Sequence, residues 1–161
     1  MHTTRRHRVI RASVDELWEV VRDPHHLPRW WPRVSRVEAV EGGAFTEVLK
    51  TAKGKLVRAD FTLVETDEVQ RRLTWSQELE GSPFARLLAS AETEVQLVSQ
   101  GLSTDMTSHS TDVAIEMRQA LTGFFPRFGG LMVRRAAAAT LDEALDGLER
   151  ISTGDEVVAD G

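Results

Sequence analysis

Residues 12–18 read Ala12-Ser13-Val14-Asp15-Glu16-Leu17-Trp18, and residues 23–32 read Asp23-Pro24-His25-His26-Leu27-Pro28-Arg29-Trp30-Trp31-Pro32. Ser13-Val14-Asp15-Glu16 has the form of a capping box: the Ser13 hydroxyl can accept from the Glu16 amide while the Glu16 side chain reaches back, so a helix starts here. Val14, Leu17, Trp18 and Val21 follow at i, i+3, i+4, i+7 and make one apolar stripe, which places Trp18 in the core. Asp23-Pro24 ends that helix, because the residue before proline is pushed out of the helical region. The second stretch is too rich in proline for a strand and predicts a second short helix or turn that stops at Pro32.

On either side of these two helices the pattern is that of strands. Residues 5–12 alternate weakly and predict a first strand. From Val34 to Gln119 the apolar period is two, broken at Gly42-Gly43, Lys53-Gly54, Thr66-Asp67-Glu68, Gly81-Ser82-Pro83 and Gln100-Gly101, which delimits about six more strands. Val57, Ala59, Phe61 and Leu63 alternate with Arg58, Asp60 and Thr62, so one face is wet and the other buried. Leu73 with Trp75, and Val95 with Leu97, repeat the pattern. Leu131 to Ile151 is alanine-rich and carries Ala137, Leu141, Ala144, Leu145 and Leu148 on one side, the strongest helix in the chain. At 1.5 Å per residue it is about 30 Å long, enough to lie across the whole sheet. The fold class expected is α+β: a curved antiparallel sheet of about seven strands around a long C-terminal helix, with two short helices after the first strand.

Length and composition narrow the partners. The 161 residues suit one domain, expected over 1–151, followed by an acidic tail at 152–161 expected to be disordered. There is no cysteine, which excludes thiol chemistry, disulfides and Cys-based zinc sites. The net charge of −5 argues against nucleic acid and anionic lipid. The short runs Arg5-Arg6-His7-Arg8 and Arg71-Arg72 read as solvated strand faces. The basic first residues run into an alternating segment rather than an apolar one, so no signal peptide is expected; nowhere do 18 apolar residues run together, so no stable membrane insertion is expected either. The cytoplasm is the expected location, and the oligomeric state is left open.

The words Ala12 to Trp18 and Asp23 to Pro32, followed by Val34 and Val37, resemble the opening of the START-like or Bet v 1-like (SRPBCC) superfamily, and more narrowly its polyketide cyclase/dehydrase-type branch. The order of elements matches over residues 5–151. The resemblance implies a helix-grip fold with a cavity between sheet and C-terminal helix, closed at one end by the two short helices. Members bind lipids, sterols, polyketides or plant hormones; a minority catalyse cyclisation or dehydration, and others assist protein partners. Fold alone does not choose among these.

On that frame the candidate ligand-binding residues are Trp30, Phe61, Trp75, Phe84, Leu97, Met106, Ser108, Val133 and Ala137. Trp30-Trp31-Pro32 has two readings: either Trp30 or Trp31 simply plugs the helix pair onto the sheet, or one ring, Trp30 by preference, lines the cavity mouth and stacks on a flat ligand. Phe61 and Trp75 look toward the long helix as core or as cavity wall, and Ala136 to Ala139 leave room opposite them. The segment Phe84-Ala85-Arg86-Leu87-Leu88-Ala89 is either the start of a strand or a lid over the mouth.

Polar chemistry is sparse. His2, His7, His25 and His26 have surface or capping positions, and no metal site or cofactor is expected. His109 lies in Ser108-His109-Ser110-Thr111, where two parities compete: Met106, Ser108 and Ser110 form one set, Thr107, His109, Thr111 and Val113 the other. The preferred parity puts the serines inside and His109 in solvent. Neighbours on a strand point to opposite faces, so Ser108 and His109 are no nucleophilic pair. Glu47, Asp60, Glu78 and Glu94 alternate with apolar neighbours and are expected on the wet face, with Asp60 near Arg58 as a surface pair. No phosphate loop, nucleophile elbow or dinucleotide fingerprint occurs. The leading expectation is binding of an apolar or aromatic small molecule without catalysis. The alternatives are an aromatase/cyclase or dehydratase acting on a polyketide-like substrate, which requires a polar group of shifted pKa inside the pocket, and a partner-binding module.

Overall fold

A computed structural model of the chain describes residues 1–102, 109–123 and 129–153. The capping box forms: the Glu16 amide donates to Ser13 Oγ at 3.2 Å, and α1 runs over Val14–Val21 with Leu17, Trp18 and Val21 buried. Asp23 caps a 3-10 turn at Pro24–His26 by accepting from the His25 amide, and α2 follows at Leu27–Trp30. The strands are β1 (His2–Ile10), β2 (Val34–Glu41), β3 (Ala44–Lys50), β4 (Leu56–Asp67), β5 (Arg72–Glu78), β6 (Leu88–Leu102) and β7 (His109–Leu121); the long helix α3 spans Gly129–Thr153.

All seven strands join one antiparallel sheet in the order β1-β7-β6-β5-β4-β3-β2. From β2 to β7 the chain meanders, each strand pairing with its successor. β1 and β2, consecutive strands in the chain, lie at opposite edges, so α1 and α2 carry the chain from one edge of the sheet to the other. α3 then packs on β1 and α2. The apolar stripe of α3, with Ala137, Leu141, Ala144, Leu145 and Leu148 buried, is the one the alanine-rich pattern predicts.

Boundaries differ from expectation at both ends of the chain. β1 begins at His2 rather than residue 5, because pairing with β7 extends to His2 opposite Gln119. α3 runs on through Ser152 and Thr153, whose hydroxyls donate to the carbonyls of Glu149 and Arg150 in the last turn. The expected tail therefore lacks its first two residues, and the rest of it lies outside the described residues. The basic run of β1 is paired rather than simply solvated. Arg5 meets Glu116 at 3.4 Å, Arg6 meets Asp142 at 3.6 Å, His7 meets Asp112 at 3.3 Å, and Arg8 bonds Asp146. Two of those acids are on α3, so the run helps to hold the helix across the edge strand.

At the far side of α1, Trp18 Nε1 donates to Glu68 at 2.6 Å. Arg71 lies over the Trp18 ring at 5.7 Å and bonds Asp15 at 2.6 Å. The turn between β4 and β5 is thereby clamped to the helix it covers. Asp60 accepts from Thr46 across the strand pair, while Arg58 reaches Glu38 on β2, so the expected Asp60–Arg58 pair is replaced by cross-strand partners.

Candidate functional site: a pocket between sheet and helix

Alternation along five neighbouring strands delivers one row of side chains to the concave face. β3 contributes Glu47 and Leu49, β4 contributes Ala59 and Phe61, β5 contributes Trp75 and Gln77, β6 contributes Ala91 and Thr93, and β7 contributes Met117 and Gln119. Over them, Ala136 and Thr140 of α3 present small side chains, so helix and sheet do not close on one another. The space left is a pocket of about 340 Å³, with Trp31, Pro32 and Arg33 at one rim and Phe84 and Leu88 also against it. A larger concavity, about 670 Å³, is lined by Pro83, Ala85, Arg86, Leu87 and Thr122, which belong to the surface around one turn.

Four aromatic residues, Trp31, Phe61, Trp75 and Phe84, line the pocket. Trp31 and Trp75 meet edge to face at 5.7 Å, and Phe61 stacks on the buried Phe45 at 5.4 Å with an interplanar angle of 10°. Ring pairs in these geometries hold their orientation, so the walls are preformed. Of residues 84–89, left open between the start of a strand and a lid, Phe84 sits in a 3-10 turn at Pro83–Arg86 capped by the Ser82 hydroxyl, and β6 begins at Leu88.

Of the two tryptophans it is Trp31, and not the preferred Trp30, that lines this pocket. The chain leaves α2 at Trp31, whose ψ of 129° is extended, and the rings of Trp30 and Trp31 meet edge to face, 5.3 Å apart with their planes at 85°. Trp31 therefore reaches the pocket, while Trp30, 2 % exposed, is packed in the core beside α3 with its Nε1 lacking a partner among the described residues. Phe61, Trp75 and Phe84 line the pocket. Leu97 is buried in the core, away from it, and Ala137 is buried one helical position from the lining residue Ala136. Val133 is on α3 but is not a lining residue. Met106 and Ser108 lie outside the described residues.

The preferred parity of the last strand is reversed over its described part. Thr111, Val113 and Ile115 are fully buried, whereas Ser110 and Asp112 are partly exposed. Thr111 tolerates burial because its hydroxyl donates to the Ala12 carbonyl at 2.7 Å. His109 shares that parity, yet it is exposed; it opens the strand, next to a register shift between Ser99 and Leu102.

The polar residue that sequence reasoning misplaced is Glu47. It is 3 % exposed, on the pocket face and not the wet one. Burial pushes its carboxyl up to about 8, with no neighbouring charge to offset the lost solvation. At neutral pH it is mostly a carboxylic acid, which can donate a hydrogen bond as well as accept one. Among the described residues the pocket's other ionisable lining group is Arg33, exposed at the rim and held there by a left-handed backbone, φ 67°. Among the described residues no cluster of three or more His, Cys, Asp or Glu is placed to hold a metal.

A family model described as "Polyketide cyclase / dehydrase and lipid transport" matches residues 1–152. No curated protein matches the chain by sequence. Among solved structures, a START superfamily protein from Mycobacterium smegmatis superposes with a TM-score of 0.74 at 16 % identity, covering 96 % of this chain and 99 % of that one. The Zhui aromatase/cyclase from a Streptomyces species gives 0.70 at 16 % identity, covering 99 % and 98 %. The protein XoxI from Bacillus cereus gives 0.74 at 15 % identity, covering 98 % and 99 %. At such identities the likeness is one of fold, and it is the fold that the capping box, the proline-rich pair of helices and the meander imply.

Proposed function

Because the chain belongs to the polyketide cyclase/dehydrase and lipid transport family, we propose that the space between its sheet and α3 binds an apolar or aromatic small molecule of lipid-like or polyketide-like kind. The observation that carries this reading is the pocket of about 340 Å³ walled by Trp31, Phe61, Trp75 and Phe84. Such a space does not arise by default in a close-packed interior. Were it sealed and empty, the cost at roughly 24 cal/mol per Å³ would be about 8 kcal/mol, comparable to the stability of a whole domain. Small α3 side chains opposite large sheet rings keep room for an occupant, which shape and burial would hold while a few polar groups orient it.

The protein purified from its own host and sprayed under native conditions tests this. A retained mass that is lost on denaturation, and lost in an Ala136→Trp variant that fills the pocket, is the expected result. A chain that never carries or takes up any hydrophobic compound would overturn the reading. We further read residues 1–151 as one domain, a small molecule rather than nucleic acid as partner on the net charge of −5, and the cytoplasm as its location. Among the described residues no helix is long and apolar enough to cross a membrane.

One observation favours a second reading, that of an aromatase/cyclase or dehydratase. Such chemistry moves protons within a site that excludes water, and it needs an acid or base whose proton affinity is tuned near neutrality. Glu47, buried in the pocket wall, has that property. Conversion of a supplied poly-keto compound by the wild type, absent from Glu47→Gln, is the outcome that would select this reading.

A further inference from the structure

Glu47 calls for an explanation because its burial is unfavourable for folding. A carboxyl removed from water without a partner costs several kcal/mol if ionised, and still costs something when neutral. On the outer face of the same strand it would be free of that cost. β3 instead places it between Phe45 and Leu49 on the concave face, opposite Ala59 of β4. Its two cross-strand neighbours, Ala59 on β4 and Val37 on β2, have apolar side chains, so neither side chain can offer the acid a hydrogen bond.

We propose that Glu47 is the polar anchor of the pocket, donating the hydrogen bond that seats a carbonyl oxygen of the ligand, so that the site selects ring-bearing ketones and related carbonyl compounds over hydrocarbons of the same shape. The inference rests on the small-molecule reading of the pocket and names the chemical class for it. A protonated carboxyl is a strong donor, and an unpaired carbonyl oxygen of a flat ligand is the acceptor that matches it. A cationic ligand suits the site less well, since it requires Glu47 to ionise in a buried setting and brings a second positive charge near Arg33.

The surroundings keep the acid form. Among the described residues the groups lining the pocket include Ala59 on β4, Gln77 on β5, Thr93 on β6, Gln119 on β7 and Thr140 on α3, all uncharged, and apart from Glu47 the charged lining group is Arg33 at the rim. With burial pushing the carboxyl up to about 8, the donor is present at neutral pH and is lost above it. Carbonyl recognition should therefore weaken as pH rises through that value.

The test compares 2-acetylnaphthalene with 2-ethylnaphthalene, which share ring and shape but not the carbonyl, by calorimetry and by quenching of the fluorescence of the pocket tryptophans. Wild type at pH 6.5 is expected to prefer the ketone by about 10-fold, the worth of one good hydrogen bond. At pH 9.5 that preference should disappear. Glu47→Leu should bind 2-ethylnaphthalene at least as well as wild type and lose the preference at both pH values. Glu47→Gln, close in shape and able to donate at any pH, should keep part of the preference and make it independent of pH; it also serves should the leucine variant not fold. Equal binding of the two probes by wild type, or a preference that survives in Glu47→Leu, would overturn the role of Glu47 while leaving the pocket reading intact. Failure of both probes to bind wild type at either pH would overturn the two together.

Discussion

Gly147 of α3 passes so close to Trp30 of α2 that a Cβ at 147 would lie 2.3 Å from the Trp30 carbonyl oxygen and 2.7 Å from its Cα. These are backbone atoms, unable to swing aside as a side chain could. The contact lets α2 and α3 meet with nothing between them, and it sets how closely the two helices pack. Gly147→Ala must push the helices apart, and a loss of about 2–3 kcal/mol is expected, as for overpacking of a tight core. Gly130 is the control: the atoms nearest its Cβ would be those of the His2 ring, at 2.8 Å, and a side-chain ring can move. Chemical denaturation of both alanine variants should show a large shift in midpoint for the first and little for the second.

Two buried threonines should respond oppositely to one substitution. Thr111 donates its hydroxyl to the Ala12 carbonyl at 2.7 Å, tying β7 to the entry of α1, whereas the buried Thr74 hydroxyl has no partner among the described residues. Thr→Val keeps shape and removes the hydroxyl. Thr111→Val is expected to cost about 1–2 kcal/mol, since it also leaves a buried carbonyl unsatisfied, while Thr74→Val should be neutral or stabilising. Equal losses at both positions in urea titrations would contradict this.

Asp23 caps the turn before α2, and its carboxyl is held below the ordinary value. Partial burial acts to raise it but is outweighed by hydrogen bonds from the backbone and ring of His25 and by the charges of His25 and His26. A lowered folded value means that the stabilisation is present above the unfolded value of 3.8 and is lost as pH falls through the folded one. Asp23→Ala should cost about 1 kcal/mol at pH 7, the usual worth of a cap, and Asp23→Asn less, because asparagine also caps. Thermal melts at pH 7 and pH 3 should show the alanine deficit shrinking at the lower pH.

The elements of the fold were legible because each carries a local signal in agreement with its neighbours. Ser13 and Glu16 mark the start of α1, Asp23-Pro24 its end, the paired glycines at 42 and 43 a strand reversal, and the Ala/Leu stripe of α3 its buried side. The concave face of the sheet was legible at Phe61 and Trp75, where the period of two is clean, but the pattern does not separate core from pocket wall there. Trp30 and Trp31 were not separable, because they stand at the junction of helix and strand, where neither period applies and a single ψ decides which ring turns inward.

Glu47 was hidden by its neighbours. In Phe45-Thr46-Glu47-Val48-Leu49 the adjacent Val48 and Leu49 blur the alternation, and the charge of glutamate argues for solvent. The signal that could have found it is the triplet Phe45, Glu47 and Leu49, three residues of one parity of which two are apolar. A titratable residue in that arrangement breaks the rule that strands otherwise follow, and such breaks gather at functional sites.

The same residue makes a prediction about the fold that needs no ligand. In the unfolded chain the Glu47 carboxyl ionises near 4.5, and in the folded one near 8. Below both values it is protonated in either state and costs nothing by ionisation. Between them the folded protein holds a proton that the unfolded chain has released, so stability falls as pH rises, by about 3 kcal/mol between pH 4.5 and pH 7. Glu47→Gln has no such proton to hold. The difference in unfolding free energy between variant and wild type should therefore grow in the variant's favour from pH 4.5 to pH 7 by about that amount, and level off above pH 8. Urea denaturation of both proteins across that range measures it, and groups elsewhere in the chain cancel because the two share them. A difference that stays constant with pH would show that the carboxyl ionises in its ordinary range and that the concave face of β3 is wetter than its geometry implies.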